Sequence, residues 1–119
     1  MILGIVGSRR RNTTKDKELI RKKILELQPS EITSGGCSRG ADRFAEELAK
    51  DMNIPTTIFK PHIEEGMKYY QMVKAYYNRN KKIAEHCDVL LAQVAKDRKG
   101  GTENTINYAF ELGKQVIII

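Results

Sequence analysis

The sequence predicts an α/β fold, in which helices cover both faces of one parallel sheet. Two observations predict it: short apolar segments alternate with amphipathic segments of helical period along the whole chain, and glycine-rich turns follow three of the apolar segments. Right-handed crossovers between such units give a doubly wound sheet of about five strands, with the expected order 3-2-1-4-5. No linker or repeat is visible, so residues 1–119 are expected to form a single Rossmann-like domain.

The first half of the chain contains two strand–helix units. Met1–Val6 is almost entirely apolar, as expected for a strand that is buried on both faces. A helix is expected to begin near Asp16 and to end before Pro29, and Glu31–Ser34 forms a second strand. Residues 41–52 have the clearest helical period, because apolar residues recur at i, i+3, i+4, i+7, i+8 and i+11.

The second half continues the alternation. Ile54–Phe59 is the third predicted strand, and a loop leads from it into a long helix over about residues 67–86. Asp88–Val94 is the fourth strand, Thr102–Leu112 the last helix and Gln115–Ile119 the fifth strand. The uncharged, apolar end of the fifth strand would form an exposed sheet edge, and such edges are usually covered. We therefore expect a homo-oligomer, with a dimer as the simplest form.

Composition excludes several classes of protein. The apolar runs are too short to span a membrane, and no leader-like segment is present, so a cytoplasmic protein is expected. Cys37 and Cys87 form no CxxC pattern and are interpreted as free thiols. His62 and His86 lack metal-ligand spacing, so neither a metal nor a cofactor is expected. The net charge of +6 comes from a basic segment over residues 9–23.

Three glycine-bearing turns follow predicted strands and should share one edge of the sheet, because the carboxyl ends of parallel strands lie together. Glycine lets backbone N–H groups approach an anion closely, and arginine binds phosphate oxygens in pairs. We therefore predict a site for an anionic, nucleotide-like small ligand, although close helix–strand packing can also require each glycine. The turns are the first (Gly7-Ser8-Arg9), the second (Gly35-Gly36-Cys37-Ser38-Arg39-Gly40) and the third (Gly100-Gly101-Thr102).

Side chains near the turns are assigned to this site by their chemistry. Ser38 and Thr102 are expected to cap the helices that follow them, where the helix dipole attracts negative charge. Arg9 and Arg39 supply cations, whereas Cys37 is interpreted as a passive small residue.

The long helix carries four tyrosines, and they divide into two pairs. Its period places Tyr70 and Tyr77 on the inner face. Tyr69 and Tyr76 then remain to stack on a nucleotide base or to fill a dimer interface.

An ordered set of motifs resembles a known family. The chain carries, in order, Gly7-Ser8-Arg9, Ser34-Gly35-Gly36-Cys37-Ser38-Arg39-Gly40-Ala41-Asp42, Arg79-Asn80 and Gly101-Thr102. Over nearly the whole chain this pattern resembles the SLOG superfamily, which includes the DNA-processing protein Smf/DprA and the LOG cytokinin-activating enzymes, and most of all its small YspA-like branch. The resemblance implies a Rossmann-like, commonly dimeric nucleotide-binding domain. The site residues it implies are Gly7, Ser8, Arg9, Gly35, Gly36, Arg39, Gly40, Asp42, Arg79, Asn80, Gly101 and Thr102.

Three functions remain open, and binding without turnover is favoured. LOG-type phosphoribohydrolases pair an arginine, matched here by Arg79, with a glutamate. In those enzymes two residues separate this glutamate from the GT motif. In this chain Glu103 comes directly after Thr102, and one residue turns a helix by about 100°, so hydrolysis by this pair is not expected. Three other acids could take the place of the missing catalytic glutamate: Glu64, Glu65 and Asp42. The second alternative is nucleic-acid binding through the basic segment.

Overall fold

The structure is a computed structural model that describes residues 1–119, and it contains five strands and four helices. The strands are β1 (Ile2–Gly7), β2 (Glu31–Ser34), β3 (Thr56–Ile58), β4 (Val89–Gln93) and β5 (Gln115–Ile118). The helices are α1 (Thr14–Leu27), α2 (Ala41–Asp51), α3 (Tyr69–His86) and α4 (Gly101–Glu111). All neighbouring strands are parallel, and their order is β3-β2-β1-β4-β5. The predicted fold class and strand order are therefore confirmed.

Two apolar cores lie on opposite faces of the sheet. On one face Ile20 and Ile24 of α1 and Phe44 of α2 are buried against β1 and β2. On the other face Ile83 of α3 and Ile106 of α4 are buried against β1 and β4. Because each face is covered by two helices, the carboxyl edge of the sheet is where the connecting turns lie open to a ligand.

Helix α3 extends past the sheet. Its 18 residues span about 27 Å, more than any strand of this sheet, and its buried residues (Asn80, Ile83 and Ala84) all lie in its second half. The expectation that Tyr70 and Tyr77 face the core is wrong, since 65% of Tyr70 and 45% of Tyr77 is exposed. Because α3 runs antiparallel to the strands, its first half projects beyond their carboxyl ends and forms a wall there.

The helix starts differ from two expectations. Ser38 does not cap α2, because the residue that precedes this helix is Gly40, with φ 71°, and no side chain caps it. The Gly40 N–H instead donates to Asn12 Oδ1 at 2.8 Å. Thr102 does not cap α4 either, because Gly100 precedes that helix and Thr102 lies within its first turn. Helix α1 begins after Thr13, which forms a capping box with Asp16.

No helix of the protein combines the length and the apolar composition that crossing a membrane requires.

Candidate functional site

A cavity of about 650 Å³ opens at the carboxyl edge of the sheet, between α3 and the turns that follow β1 and β4. Its volume lies within the range of small-molecule pockets. The predicted site residues that line it are Gly7, Ser8, Arg9, Asp42, Arg79, Asn80, Gly100, Gly101 and Thr102. The predicted residues that do not line it are Gly35, Gly36, Ser38, Arg39, Gly40 and Glu103. The first and third turns thus meet in one hollow, to which the second turn contributes only Cys37.

One wall of the cavity is aromatic. Tyr69, Val73, Tyr76 and Tyr77 lie at i, i+4, i+7 and i+8 of α3 and all line the hollow. Tyr69 is 79% exposed, so its ring packs little against the protein and its face is available to a ligand. Rings of this kind stack on nucleotide bases or sugars.

A second wall of the cavity is cationic and rich in hydrogen-bond donors. Arg9 and Lys99 line the cavity, and neither side chain forms an ion pair or a hydrogen bond with the protein. The N–H groups of Gly101 and Thr102 belong to the first turn of α4, where no preceding carbonyl accepts them. The positive end of the helix dipole adds to this charge, so an anionic group is stabilised here.

A bidentate ion pair fixes the first turn to the loop before α4. Arg10 donates to both carboxyl oxygens of Asp97, at 2.7 Å and 3.0 Å, and also to the Lys99 carbonyl at 3.3 Å. The two residues are 87 positions apart in sequence, so this contact joins the two halves of the cationic wall. The Arg10 guanidinium lowers the pKa of the Asp97 carboxyl by hydrogen bonding.

The second turn is occupied by the protein's own side chains. Arg79 Nη1 donates to the Gly35 carbonyl at 2.6 Å, and Arg79 Nε donates to Asn80 Oδ1 at 2.9 Å. The Arg79 guanidinium also lies 5.7 Å from the centre of the Tyr76 ring. Asn80 Nδ2 in turn donates to Asn104 Oδ1 at 3.1 Å. This chain of contacts links the end of β2, through α3, to the beginning of α4.

Asp42 is the only carboxyl group on the cavity wall, and it is 7% exposed. Its Oδ2 accepts the Cys37 N–H at 3.1 Å, and its Oδ1 lies 3.0 Å from Ser34 Oγ. Burial raises the pKa of Asp42 above its usual value, and the Cys37 N–H and the Arg79 charge offset only part of this rise. An acid with a raised pKa in a cavity is a functional-site signal.

The other candidate acids lie elsewhere. Glu103 is held by Arg98 through three hydrogen bonds of 2.8–3.1 Å, outside the cavity. Glu64 and Glu65 are exposed in the loop before α3, where Glu64 contacts His62. Neither lines the cavity. No group of three or more His, Cys, Asp or Glu side chains is arranged to hold a metal ion.

Most of the basic segment makes contacts within the protein. Besides Arg10, Arg11 donates to the Ile119 carbonyl at 2.8 Å and pairs with Asp16 at 3.1 Å. Arg21 and Lys23 pair with acids of the same helix. The segment is therefore less cationic toward an external partner than its composition implies.

Sequence reasoning missed several wall residues. Arg10, Lys99, Val73 and Thr105 all line the cavity. The basic character of residues 9–11 was a usable signal for Arg10, but nothing local marked Lys99, whose position depends on how the loop before α4 folds.

No protein-family model and no curated protein matches this chain.

Proposed function

We propose that the cavity binds a nucleotide or a nucleotide-derived small ligand, as a sensing or sequestering module. The observation that carries the proposal is that an aromatic wall on α3 and a wall of unpaired cations and N–H groups line a single hollow of about 650 Å³. A nucleotide combines a flat apolar base with an anionic phosphate, so it complements both walls at once.

The ligand orientation follows from the two walls. The base stacks on Tyr69 or Tyr76, and the phosphate lies against the N–H groups of Gly101 and Thr102, with Arg9 and Lys99 beside it. The sugar lies against Val6, Ile83 and Thr105, which also line the cavity.

The motif order that resembles the SLOG superfamily supports the same proposal. Of its implied residues, Gly7, Ser8, Arg9, Gly101 and Thr102 lie on the cationic wall. We propose membership of this superfamily on the motif order together with the strand order of the sheet.

The contacts of the two nearest candidate acids favour binding without hydrolysis. Cleavage of an N-glycosidic bond needs a carboxyl group at the sugar, but Glu103 is bound by Arg98 and Asp42 is tied to Ser34 and Cys37. Incubation with nucleoside monophosphates distinguishes the two functions. We expect no free base by chromatography, and its release at a rate that depends on Arg79 would establish a phosphoribohydrolase instead.

A homo-oligomer is part of the proposal. Strand β5 pairs only with β4, and the neighbouring side chains of Phe110 and Ile118 are 58% and 41% exposed. A second copy would cover this edge. Sedimentation should show an oligomer that Ile118→Lys weakens, whereas Leu25→Lys on α1, 51% exposed, should leave it unchanged. A monomeric wild-type protein at working concentration contradicts this part.

The test of the binding proposal is a thermal-shift screen. Its ligands are nucleoside monophosphates, ADP and ADP-ribose, compared with adenosine and inorganic phosphate as half-ligands. A ligand at 100 times its Kd stabilises the native state by about 2.7 kcal/mol, which raises Tm by several degrees. We expect shifts only for molecules that carry both base and phosphate. No shift across the panel, together with tight and steeply salt-dependent binding to DNA or RNA, would support the nucleic-acid alternative.

A further inference from the structure

The hydroxyl of Ser34 has two acceptors and one proton. Ser34 Oγ lies 2.6 Å from the Ile5 carbonyl and 3.0 Å from Asp42 Oδ1. A serine hydroxyl donates only one hydrogen bond, but it accepts others through its lone pairs. A carbonyl never donates, so the shorter contact is the hydrogen bond that Ser34 gives to Ile5. The contact with Asp42 then needs its proton from the carboxyl group.

The surroundings of Asp42 permit a neutral acid. The side chain is 7% exposed, and burial without a close cation favours the uncharged form. The cation that favours ionisation of Asp42 is Arg79 of α3, yet the two side chains form no ion pair. Glu46, on the same helix as Asp42, adds repulsion that also opposes ionisation. The remaining titratable neighbour, Cys37, contributes its backbone N–H, which donates to Oδ2.

Arg79 and Asp42 approach the same point from different sides. A Cβ atom added to Gly35 would lie 2.6 Å from Arg79 Nη1 and 2.8 Å from Asp42 Oδ2. Arg79 Nη2 has no hydrogen-bond partner in the protein, and Arg79 lines the cavity. The guanidinium therefore keeps donor capacity toward the hollow, provided that Asp42 does not cancel its charge.

We propose that Asp42 carries a proton on Oδ1, which it donates to Ser34 Oγ, and that Arg79 consequently forms a second anion subsite of the cavity. This inference rests on the proposed nucleotide-binding function and extends it. The cationic wall holds one anionic group, and the Arg79 subsite holds another, so the favoured ligands carry two linked anionic groups, as the pyrophosphate of ADP-ribose does. Ionisation of Asp42 weakens the subsite, so ligand binding is linked to the retention or uptake of a proton.

The protonation state is tested without any ligand. Carboxyl-carbon NMR of the protein labelled at aspartate, titrated from about pH 4 to about pH 8, reports the state of Asp42 directly. We expect its carbon to titrate at a higher pH than that of the exposed Asp97, whose pKa is lowered by Arg10. An Asp42 carbon that is fully ionised at about pH 4.5 overturns the inference, whatever the protein binds.

Ligand linkage is tested with ADP-ribose, because its pyrophosphate does not change charge near neutral pH. Calorimetry over the pH range in which the NMR experiment finds Asp42 to titrate should show affinity falling as pH rises, by up to about tenfold per pH unit. Asp42→Asn imitates the protonated acid, so it should flatten this profile and bind more tightly than the wild type at the alkaline end. Asp51→Asn, the matched control at the exposed end of the same helix, should keep the pH dependence.

The outcomes separate the two proposals. If ADP-ribose does not bind while the NMR titration shows a protonated Asp42, the proton assignment stands and the ligand proposal fails. If ADP-ribose binds with the same affinity at every pH in the wild type, the Arg79 subsite is refuted while the cavity proposal survives. Should Asp42→Asn fail to fold, the wild-type calorimetric profile still decides, since a flat profile contradicts the linkage.

Discussion

The second and third turns have similar glycine-rich sequences but different structural roles. In the second turn, a Cβ at Gly35 would contact Arg79 and Asp42 at 2.6–2.8 Å, and one at Gly40 would contact the Ser8 carbonyl at 2.7 Å. In the third turn, no atom lies within 4 Å of a Cβ at Gly100, and only Asn80 Nδ2, at 4.0 Å, approaches one at Gly101. Glycine therefore makes room for the protein's own atoms in the second turn, whereas in the third turn the space around Gly101 is open and Gly100 is required by its φ of 120°.

The largest difference between the two turns should appear in stability. Gly40→Ala places a methyl group at φ 71° and within 2.7 Å of the Ser8 carbonyl, so backbone strain and overpacking together should cost about 3 kcal/mol of unfolding free energy. Gly101→Ala, the matched substitution in the third turn, should cost almost nothing and should weaken ligand binding instead. Urea denaturation measures both. Equal losses of stability would contradict the distinction between the turns.

The aromatic wall is tested by two adjacent tyrosines. Tyr69 lines the cavity and Tyr70 does not, although 79% and 65% of these side chains is exposed, so neither substitution should unfold the protein. Base stacking contributes about 1–3 kcal/mol, and Tyr69→Ala should therefore weaken ADP-ribose binding by about fivefold to a hundredfold. Tyr70→Ala should have no effect in the same calorimetric titration. If only Tyr70→Ala weakened ADP-ribose binding, the base would not stack on this wall.

Substitution of one arginine near each site tests which turn binds the phosphate. Arg9 belongs to the cationic wall, and Arg39, which is also exposed and unpaired, lies in the second turn outside the cavity. A charged hydrogen bond to phosphate contributes about 1.5 kcal/mol or more, so Arg9→Ala should weaken binding about tenfold. Arg39→Ala should change the Kd less than about twofold. The reverse ranking would place the phosphate at the second turn.

The smallest expected effect concerns pH and stability. The pKa of Asp42 is raised in the folded protein, so its contribution to stability is complete below about pH 4 and is lost as pH rises through the folded-state pKa. Asp42→Asn does not titrate, and its stability relative to the wild type should rise over the same interval. Thermal denaturation across this range measures the difference, and parallel curves would show that Asp42 has an ordinary pKa.

Sequence patterns predicted the fold more completely than the site. Alternation of apolar segments was sufficient for the strand order, because crossover handedness leaves few topologies. The turns were located correctly, since parallel strands bring their carboxyl ends together. Which side chains occupy the turns was not predictable. The direction of Arg39 depends on the backbone at Gly40. The second turn is filled by Arg79, which comes from a helix more than forty residues away. Tyr77 was misassigned because helical period reveals a face but not where the sheet beneath it ends.

The most direct test of the central claim is an amide NMR titration with ADP-ribose. In the proposed orientation the phosphate contacts N–H groups at the beginning of α4, and the base stacks on the tyrosines of α3. We expect the largest shifts at the amides of Gly101, Thr102 and Arg9, with smaller ones along Tyr69–Tyr77. Shifts concentrated at Ser38 and Arg39, or absent from the cavity altogether, would contradict the account.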